Sequence, residues 1–504
     1  VTHDRTIVIG AGIGGLVAAT VLAARGEEVL IVERQRTPGG KMRLVEAGGA
    51  AINAGPTVFT MRDIFEAIFA EAGTSLSAEL AIEPLAVLAR HSWGNGPELD
   101  LYADLNQSVD AIGRFAGADE AKRFVALNAE ARRMFETLKK PFIEAQRPSP
   151  LGVAFGGGAA GLMRMLRINP FETLWSAVSR HMKDPRLQQL FGRYATYCGS
   201  SPFSAVATLL LIAHVEQDGV WTVEGGMHGV ARAFERVFTR LGGVIRYNTA
   251  VSRIETQQGR VSAVITEEGE RLSCRATIVN GDVNAVATGL FGDDIKHAVA
   301  PTPRNARSLS AITWCANLET NGFPLALHNV FFSSDYAREF EELKHGYPAE
   351  PTVYLCAQDR SVDPSQRDAL FILVNAPADG DETLRDHHAV EHAMLKKLKD
   401  CGLSLAWTPE SVTPTTPADF ARLFPATGGA LYGRASHGWL ASFQRPGAKT
   451  VIPGLYLAGG STHPGPGVPM AAMSGRLAAE ALLASKISAP RSRPMAIAGG
   501  IATR

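Results

Sequence analysis

The sequence predicts an α/β fold in which a parallel sheet is assembled from separated parts of the chain and a second, α+β domain is inserted between them. Three observations carry this reading. The apolar run Thr6–Ile9 leads through a glycine loop, Gly10-Ala-Gly12-Ile-Gly14-Gly15, into an Ala-rich helical stretch that stops at Gly26. Further strand-like runs return at Val29–Val32, Ala276–Asn280 and Gly454–Gly460, far apart in the chain. Between them lie a mostly helical region and a region of mixed strands and helix, with no internal repeat.

The bulk composition bounds the protein. A chain of 504 residues, with 46% apolar and 20% charged residues, is long enough for two or three domains around a large core. Fifty Lys and Arg balance 50 Asp and Glu, so no global field points to nucleic acid. Five cysteines (198, 274, 315, 356 and 401) contain no C-x-x-C pair. They are expected to be reduced structural thiols, with no metal site. No stretch approaches the roughly 18 apolar residues of a membrane span, and Thr208–Val215 is far too short. The expectation is a cytoplasmic protein, or one touching a membrane from the cytoplasmic side.

The elements follow in order. Asp63–Gly73 reads as a helix with Ile64, Phe65, Ile68 and Phe69 on one face, and Asp119–Ala145 keeps a helical period through Phe124, Leu127, Ala131, Phe135 and Leu138. Lys139–Arg186 is rich in Lys and Arg and poor in acids, with Phe, Leu, Met and Trp interleaved; Gly156–Ala160 and prolines 148, 150 and 170 cut it into short pieces. Strand patterns recur at Gly243–Ile254, Val261–Thr266, Thr352–Leu355 and Leu370–Val374, with a helix at Glu382–Cys401. A last helix runs from about Met470 to Leu483, and a tail from Ser488 is expected to be disordered.

The glycine loop has a chemical purpose. Gly10 makes the tight turn, Gly12 lets the backbone approach a pyrophosphate, Gly14 continues the loop, and Gly15 lets helix pack on strand. The helix N-terminus offers unpaired N–H groups to phosphate. The second strand ends in Glu33, about where an acid accepts ribose hydroxyls. This predicts a Rossmann-like dinucleotide site. Two features favour FAD over NAD. Pro38-Gly39-Gly40-Lys41-Met42-Arg43 resembles the second glycine pair of flavoproteins of the glutathione reductase and amine oxidase type. Gly454-Leu-Tyr-Leu-Ala-Gly459-Gly460, before a helix beginning near Pro469 and Met470, resembles the strand and helix that close their FAD site at the flavin's pyrimidine edge.

Four further segments narrow the resemblance. They are Asn53-Ala-Gly55-Pro56-Thr57-Val58; Val223-Glu-Gly225-Gly226-Met-His-Gly229; Gly429-Ala-Leu-Tyr432-Gly433 with Phe443-Gln-Arg445-Pro446; and Thr462-His463-Pro464-Gly465-x-Gly467-x-Pro469. Together they resemble the bacterial phytoene desaturase-type carotenoid desaturases over nearly the full chain. Asn53 stands where that family more often has Asp. Ser436-His437-Gly438-Trp439 and Met470-Ala-Ala-Met473-Ser-Gly475-Arg476 are more similar to the 1-hydroxycarotenoid 3,4-desaturases of purple bacteria.

The resemblance implies a discontinuous FAD-binding domain (1–80, 220–290 and 425–487), a helical substrate and membrane-contact subdomain (81–219), and a substrate-binding domain (291–424). Gly55, Pro56 and Thr57 are placed beside the flavin, and the backbone near Val251 at the adenine. The implied reaction removes a hydride and a proton from a C–C single bond next to a polyene. A carotenoid is the expected substrate, oxygen or a quinone the electron acceptor, and a lipid surface the partner, at the inner, photosynthetic membrane. The basic, apolar stretch Lys139–Arg186 suits such a surface. No catalytic base is identified: Arg167 and His463 are candidates, with a lipid-phosphate contact and a loop-shaping role as their alternatives. A packed role is favoured for His214. Phytoene desaturation, a flavin amine oxidase and a non-catalytic prenyl-lipid carrier are the alternative functions.

Overall fold

In a computed structural model the described residues are 5–487, except 95, 151, 153–168, 170, 359, 361–366, 383, 384 and 439. Gly156–Ala160, Arg164, Arg167, Trp439 and the tail from Ser488 lie outside them.

Five parallel strands form the first sheet, in the order Leu455–Ala458, Ala276–Asn280, Thr6–Ile9, Val29–Val32, Val244–Arg246. Its central strands are apolar on both faces because both are covered. Val8, Ile31 and Ile278 point to the helices Ile13–Ala24, Gly226–Arg240 and Val468–Ile487. Ile7, Ile9, Leu30 and Val32 point to a three-stranded antiparallel sheet containing Ile254, Val264 and Leu272. The first and last described strands and helices therefore meet here. The first helix and the closing helix pack so tightly that a Cβ on Gly475 would stand 2.1 Å from the Gly14 carbonyl oxygen.

The second sheet has seven strands, in the order Val412–Thr415, Ser310–Leu318, Asp368–Ala376, Val353–Ala357, His328–Phe331, Val87–Ser92, Leu99–Tyr102. The helix His388–Asp400 buries Val390, Met394 and Leu398 against Ile312, Trp314, Leu370 and Ile372. The sequence predicts this helix from Glu382. It starts at His388 instead, whose N–H is taken by the Asp386 side chain at 3.0 Å. Such a local side-chain acceptor competes with helix at the preceding residues.

The helical unit contains Leu105–Ala116, Ala118–Leu138, Leu174–His181, Pro185–Gly192 and Leu211–Asp218. Phe124, Leu127, Ala131, Met134 and Leu138 form the buried stripe of the long helix. They pack against Leu88, Leu99, Leu101 and Val330, so two strands from before the helices tie this unit to the second sheet. The long helix was expected to reach Ala145. It passes into a π-turn, Lys139–Ile143, because Pro141 lacks the N–H that would continue the ladder. Asp63–Gly73 forms as the helix Arg62–Glu71, with Ile64, Phe65, Ile68 and Phe69 buried. All five cysteines are buried, and none of them is in a disulfide among the described residues. Among the described residues no helix is long and apolar enough to cross a membrane.

Candidate functional site

A cavity of about 1160 Å³ runs from the glycine loop into the space between the second sheet and the helical unit. That exceeds the volume usual for one small ligand, roughly 300–1,000 Å³. Gly10, Gly12, Gly14, Glu33, Gly40, Lys41, Arg43, Gly55, Pro56, Thr57, Val251, Gly459, Gly460, Pro469 and Met470 all line it. They come from parts of the chain more than 400 residues apart, and the parallel sheet brings them together at its C-terminal edge.

The residues present fit a dinucleotide. The helix Ile13–Ala24 begins at Gly12 with no side-chain cap, so its first-turn N–H groups face the cavity without a protein side chain on them. A Cβ at Gly12 would lie 2.8 Å from Asn280 Nδ2, and one at Gly14 2.7 Å from Asn280 Oδ1 and 2.9 Å from the Gly459 nitrogen. Side chains there would fill the cradle. Gly15 does not line the cavity: a Cβ there would be 2.1 Å from the Gly10 carbonyl oxygen, so its bareness serves helix-on-strand packing. Glu33 is buried and accepts the backbone N–H of Ala11 at 2.7 Å and of Gln35 at 2.8 Å. Each of its oxygens keeps acceptor capacity for a further donor.

The loops around the middle of the cavity are fastened by buried charge. Lys41 donates to the Leu431 carbonyl and stands over the Phe424 ring at 5.2 Å, and burial lowers its pKa. Asp282 faces Lys41 and Arg445, and burial raises its carboxyl against their pull. Arg445 donates to the carbonyls of Tyr432 (2.9 Å), Gly460 (3.3 Å) and Arg434. The late Phe443-Gln-Arg445-Pro446 pattern thus pins the Tyr432 loop to the glycines after Ala458. Arg43 donates to Thr415 Oγ1 at 2.9 Å and lies over Phe420. Asn53 does no ionic work. Its Oδ1 accepts the His228 N–H at 3.0 Å, and its backbone pairs with the Gln358 side chain at 3.0 and 2.7 Å. Its Nδ2 donates to the Gly225 carbonyl at 3.3 Å, a bond that a carboxylate could not make.

Beyond Thr57 the lining turns apolar, through Leu138, Phe142, Ile143, Val206, Leu209, Ile212, Val215, Phe371, Leu373 and Phe443. His463 is not part of the lining. It lies behind Phe142, edge to face at 5.0 Å, and burial lowers its pKa to about 4 against the opposing pull of the Phe142 and Ala145 backbone. His214 packs edge-on against Phe135 at 5.2 Å, also away from the cavity wall. Arg167 is outside the described residues. Among the described residues no cluster of His, Cys, Asp and Glu could hold a metal. Sequence reasoning missed Asn280, Asp282, Arg193, Tyr197 and Tyr354 as cavity residues. Asn280 had a signal, since it ends a strand of the parallel sheet; its Nδ2 donates to the Gly10 carbonyl at 3.1 Å and shapes the loop.

The comparisons with known proteins agree with this architecture. The family model of flavin-containing amine oxidoreductases matches residues 13–483. Hydroxyneurosporene desaturase of Rubrivivax gelatinosus is 52% identical, covering 100% of this chain and 97% of its own length. Phytoene dehydrogenase of Streptomyces griseus is 30% identical over 97% of each chain. An oxidoreductase from Methanosarcina mazei shares the fold, with a TM-score of 0.60 at 16% identity, covering 94% of this chain and 100% of that one.

Proposed function

The chain belongs to the flavin-containing amine oxidoreductases and, within them, to the hydroxyneurosporene desaturases, and from that premise we propose that it desaturates the C3–C4 bond of a 1-hydroxy- or 1-methoxy-polyene of the neurosporene type. It is an FAD-dependent oxidoreductase acting on CH–CH groups. The observation that carries the substrate reading is the continuity of the cavity: a cradle for a dinucleotide opens directly into an apolar channel. The greater likeness to a hydroxyneurosporene desaturase than to a phytoene dehydrogenase supports the oxygenated end group.

The first-turn amides after Gly12 would hold the pyrophosphate of FAD, Glu33 its ribose hydroxyls and the backbone at Val251 its adenine, and the start of the closing helix near Pro469 and Met470 would face the flavin. FAD, when bound, supplies the acceptor for the hydride. The chain's own residues orient and enclose. Leu138, Phe142, Ile212, Val215 and Phe443 exclude water from the polyene and hold it along one axis. The Lys41, Asp282 and Arg445 cluster fixes the loops on either side of the reacting end.

Access to a polyene that partitions into lipid is proposed to come from contact with a membrane surface. Phe171, within the basic stretch Lys139–Arg186, is 69% exposed. The acceptor that reoxidises the enzyme is oxygen or a quinone.

The test is direct. Purified protein is supplied with 1-hydroxyneurosporene or with phytoene in vesicles, and the absorption spectrum is followed. A red shift with the hydroxylated compound is expected; turnover of phytoene alone overturns the reading.

A further inference from the structure

One charged group stands in the apolar part of the cavity. Arg193 opens the 3-10 turn Arg193–Cys198, and its guanidinium lies over the rings of Tyr197 and Tyr354, 5.4 and 5.3 Å from their centroids. Among the described residues it has no ion pair. Among them the guanidinium makes one hydrogen bond, a long 3.5 Å contact from Nη1 to the Tyr197 hydroxyl. A guanidinium carries five N–H donors, so most of its capacity is unspent in a place where unpaired charge is costly. Tyr336 lines the same cavity, is 6% exposed, and has no partner for its hydroxyl. The field of Arg193 reaches it.

The frame around this guanidinium is rigid. The Tyr354 hydroxyl is held by Thr57 Oγ1 at 2.6 Å and His328 Nδ1 at 2.8 Å. The Tyr194 and Tyr197 hydroxyls both donate to the Glu216 carboxylate at 2.7 Å. Thr57 belongs to the Gly55–Thr57 loop, which lines the cavity next to the dinucleotide cradle. The unspent donors therefore stand at the reacting end of the channel, not at its far end.

We propose that Arg193 determines specificity by donating a hydrogen bond to the oxygen on C1 of the substrate, with the Tyr336 hydroxyl as the second polar contact. The assignment rests on the functional reading above, in which that oxygen lies two carbons from the bond that is oxidised and so must sit beside the redox centre. A hydroxyl and a methoxyl oxygen both accept, so Arg193 serves either end group. A hydrocarbon end leaves most of the guanidinium's donors unmet, and a site built to bond an oxygen rejects the analogue that lacks it.

The test measures kcat/KM for three polyenes of equal length in vesicles, bearing a 1-hydroxyl, a 1-methoxyl or neither. Wild-type enzyme is expected to favour both oxygenated compounds by on the order of 100-fold. Arg193→Met should collapse that ratio at least about tenfold, Arg193→Lys less, and Tyr336→Phe by a few fold. Wild-type turnover of all three at one rate overturns the assignment and leaves the functional reading standing, whatever the variants do. Turnover of none overturns both. An Arg193→Met enzyme that keeps the wild-type preference, or that changes only its KM for a quinone, overturns the assignment in favour of a structural or acceptor-binding arginine.

Discussion

Glu33 and Ala11 are joined by a hydrogen bond of 2.7 Å, the Glu33 carboxylate accepting the Ala11 backbone N–H while its other oxygen takes the Gln35 N–H. The acid at the end of the second strand therefore shapes the glycine loop as well as facing the cavity. Glu33→Gln keeps the volume but turns one acceptor into a donor that meets an N–H. With charge-assisted bonds of this kind worth about 1.5–3 kcal/mol, the Kd for FAD is expected to rise roughly 10- to 100-fold. Titration of apoprotein by flavin fluorescence quenching measures it. An unchanged Kd would show that the loop holds its shape without the acid.

The contact between Gly475 and Gly14 gives a second prediction. A Cβ on Gly475 would lie 2.1 Å from a backbone carbonyl, so Gly475→Ala must push the closing helix off the first helix. The expected loss is about 1–3 kcal/mol, with a lower Tm and poorer FAD retention. Gly113→Ala is the counter-case. It sits in the helix Leu105–Ala116, and its added methyl meets only the Ala121 Cβ at 3.7 Å. That change should stabilise by roughly 0.5–1 kcal/mol. Equal effects of the two would show that the close helix contact is not limiting.

The dinucleotide half was legible because its residues act through local chemistry. Gly10, Gly12, Glu33 and the Ala-rich helix follow one another in sequence, and each has a task that its neighbours reveal. The division of strand faces comes from the structure: Ile7 and Val8 go to opposite cores, and a uniformly buried run such as Thr6–Ile9 shows no alternation to announce it. The channel was not legible either. Arg193, Tyr197, Tyr354 and Thr57 come from a 3-10 turn, a strand and a loop, and only the packing of the second sheet against the helices brings them together. His463 drew attention by its place beside glycines and prolines, yet its ring faces Phe142 and not the cavity. Nothing local distinguishes a ring turned inward from one turned away.

Burial of three histidines makes stability depend on pH. His91, His328 and His463 are each pushed down to about 4 by desolvation. Unfolded, each takes a proton near 6.5. Between those values the unfolded chain binds more protons than the folded one, so stability is fully present above pH 6.5 and falls as pH drops toward 4. Each ring contributes a slope of order 1 kcal/mol per pH unit. The urea midpoint is expected to decline steadily from pH 6.5 to 4.5, and His463→Leu to flatten that decline. A slope unchanged by the substitution would mean that the ring is protonated in the folded state.

Membrane contact is tested at the exposed apolar side chains. Phe171 is 69% and Leu440 39% exposed. Bridges from Thr173 to Val206 and from Ala205 to His437 bring their two segments side by side. Lys139 is a poor choice for the same purpose, because it is paired with Asp63 at 2.6 Å and its replacement would break that pair. Removing a buried Phe or Leu from lipid contact costs about 1.5–3 kcal/mol, so Phe171→Ser with Leu440→Ser should weaken partition onto anionic vesicles by at least about tenfold. Added salt should weaken wild-type binding further, since basic residues beside an anionic surface are screened. Co-sedimentation with vesicles reads both effects, and flavin absorbance confirms that the variant is folded. Partition that ignores both substitutions would place the contact surface elsewhere on the molecule.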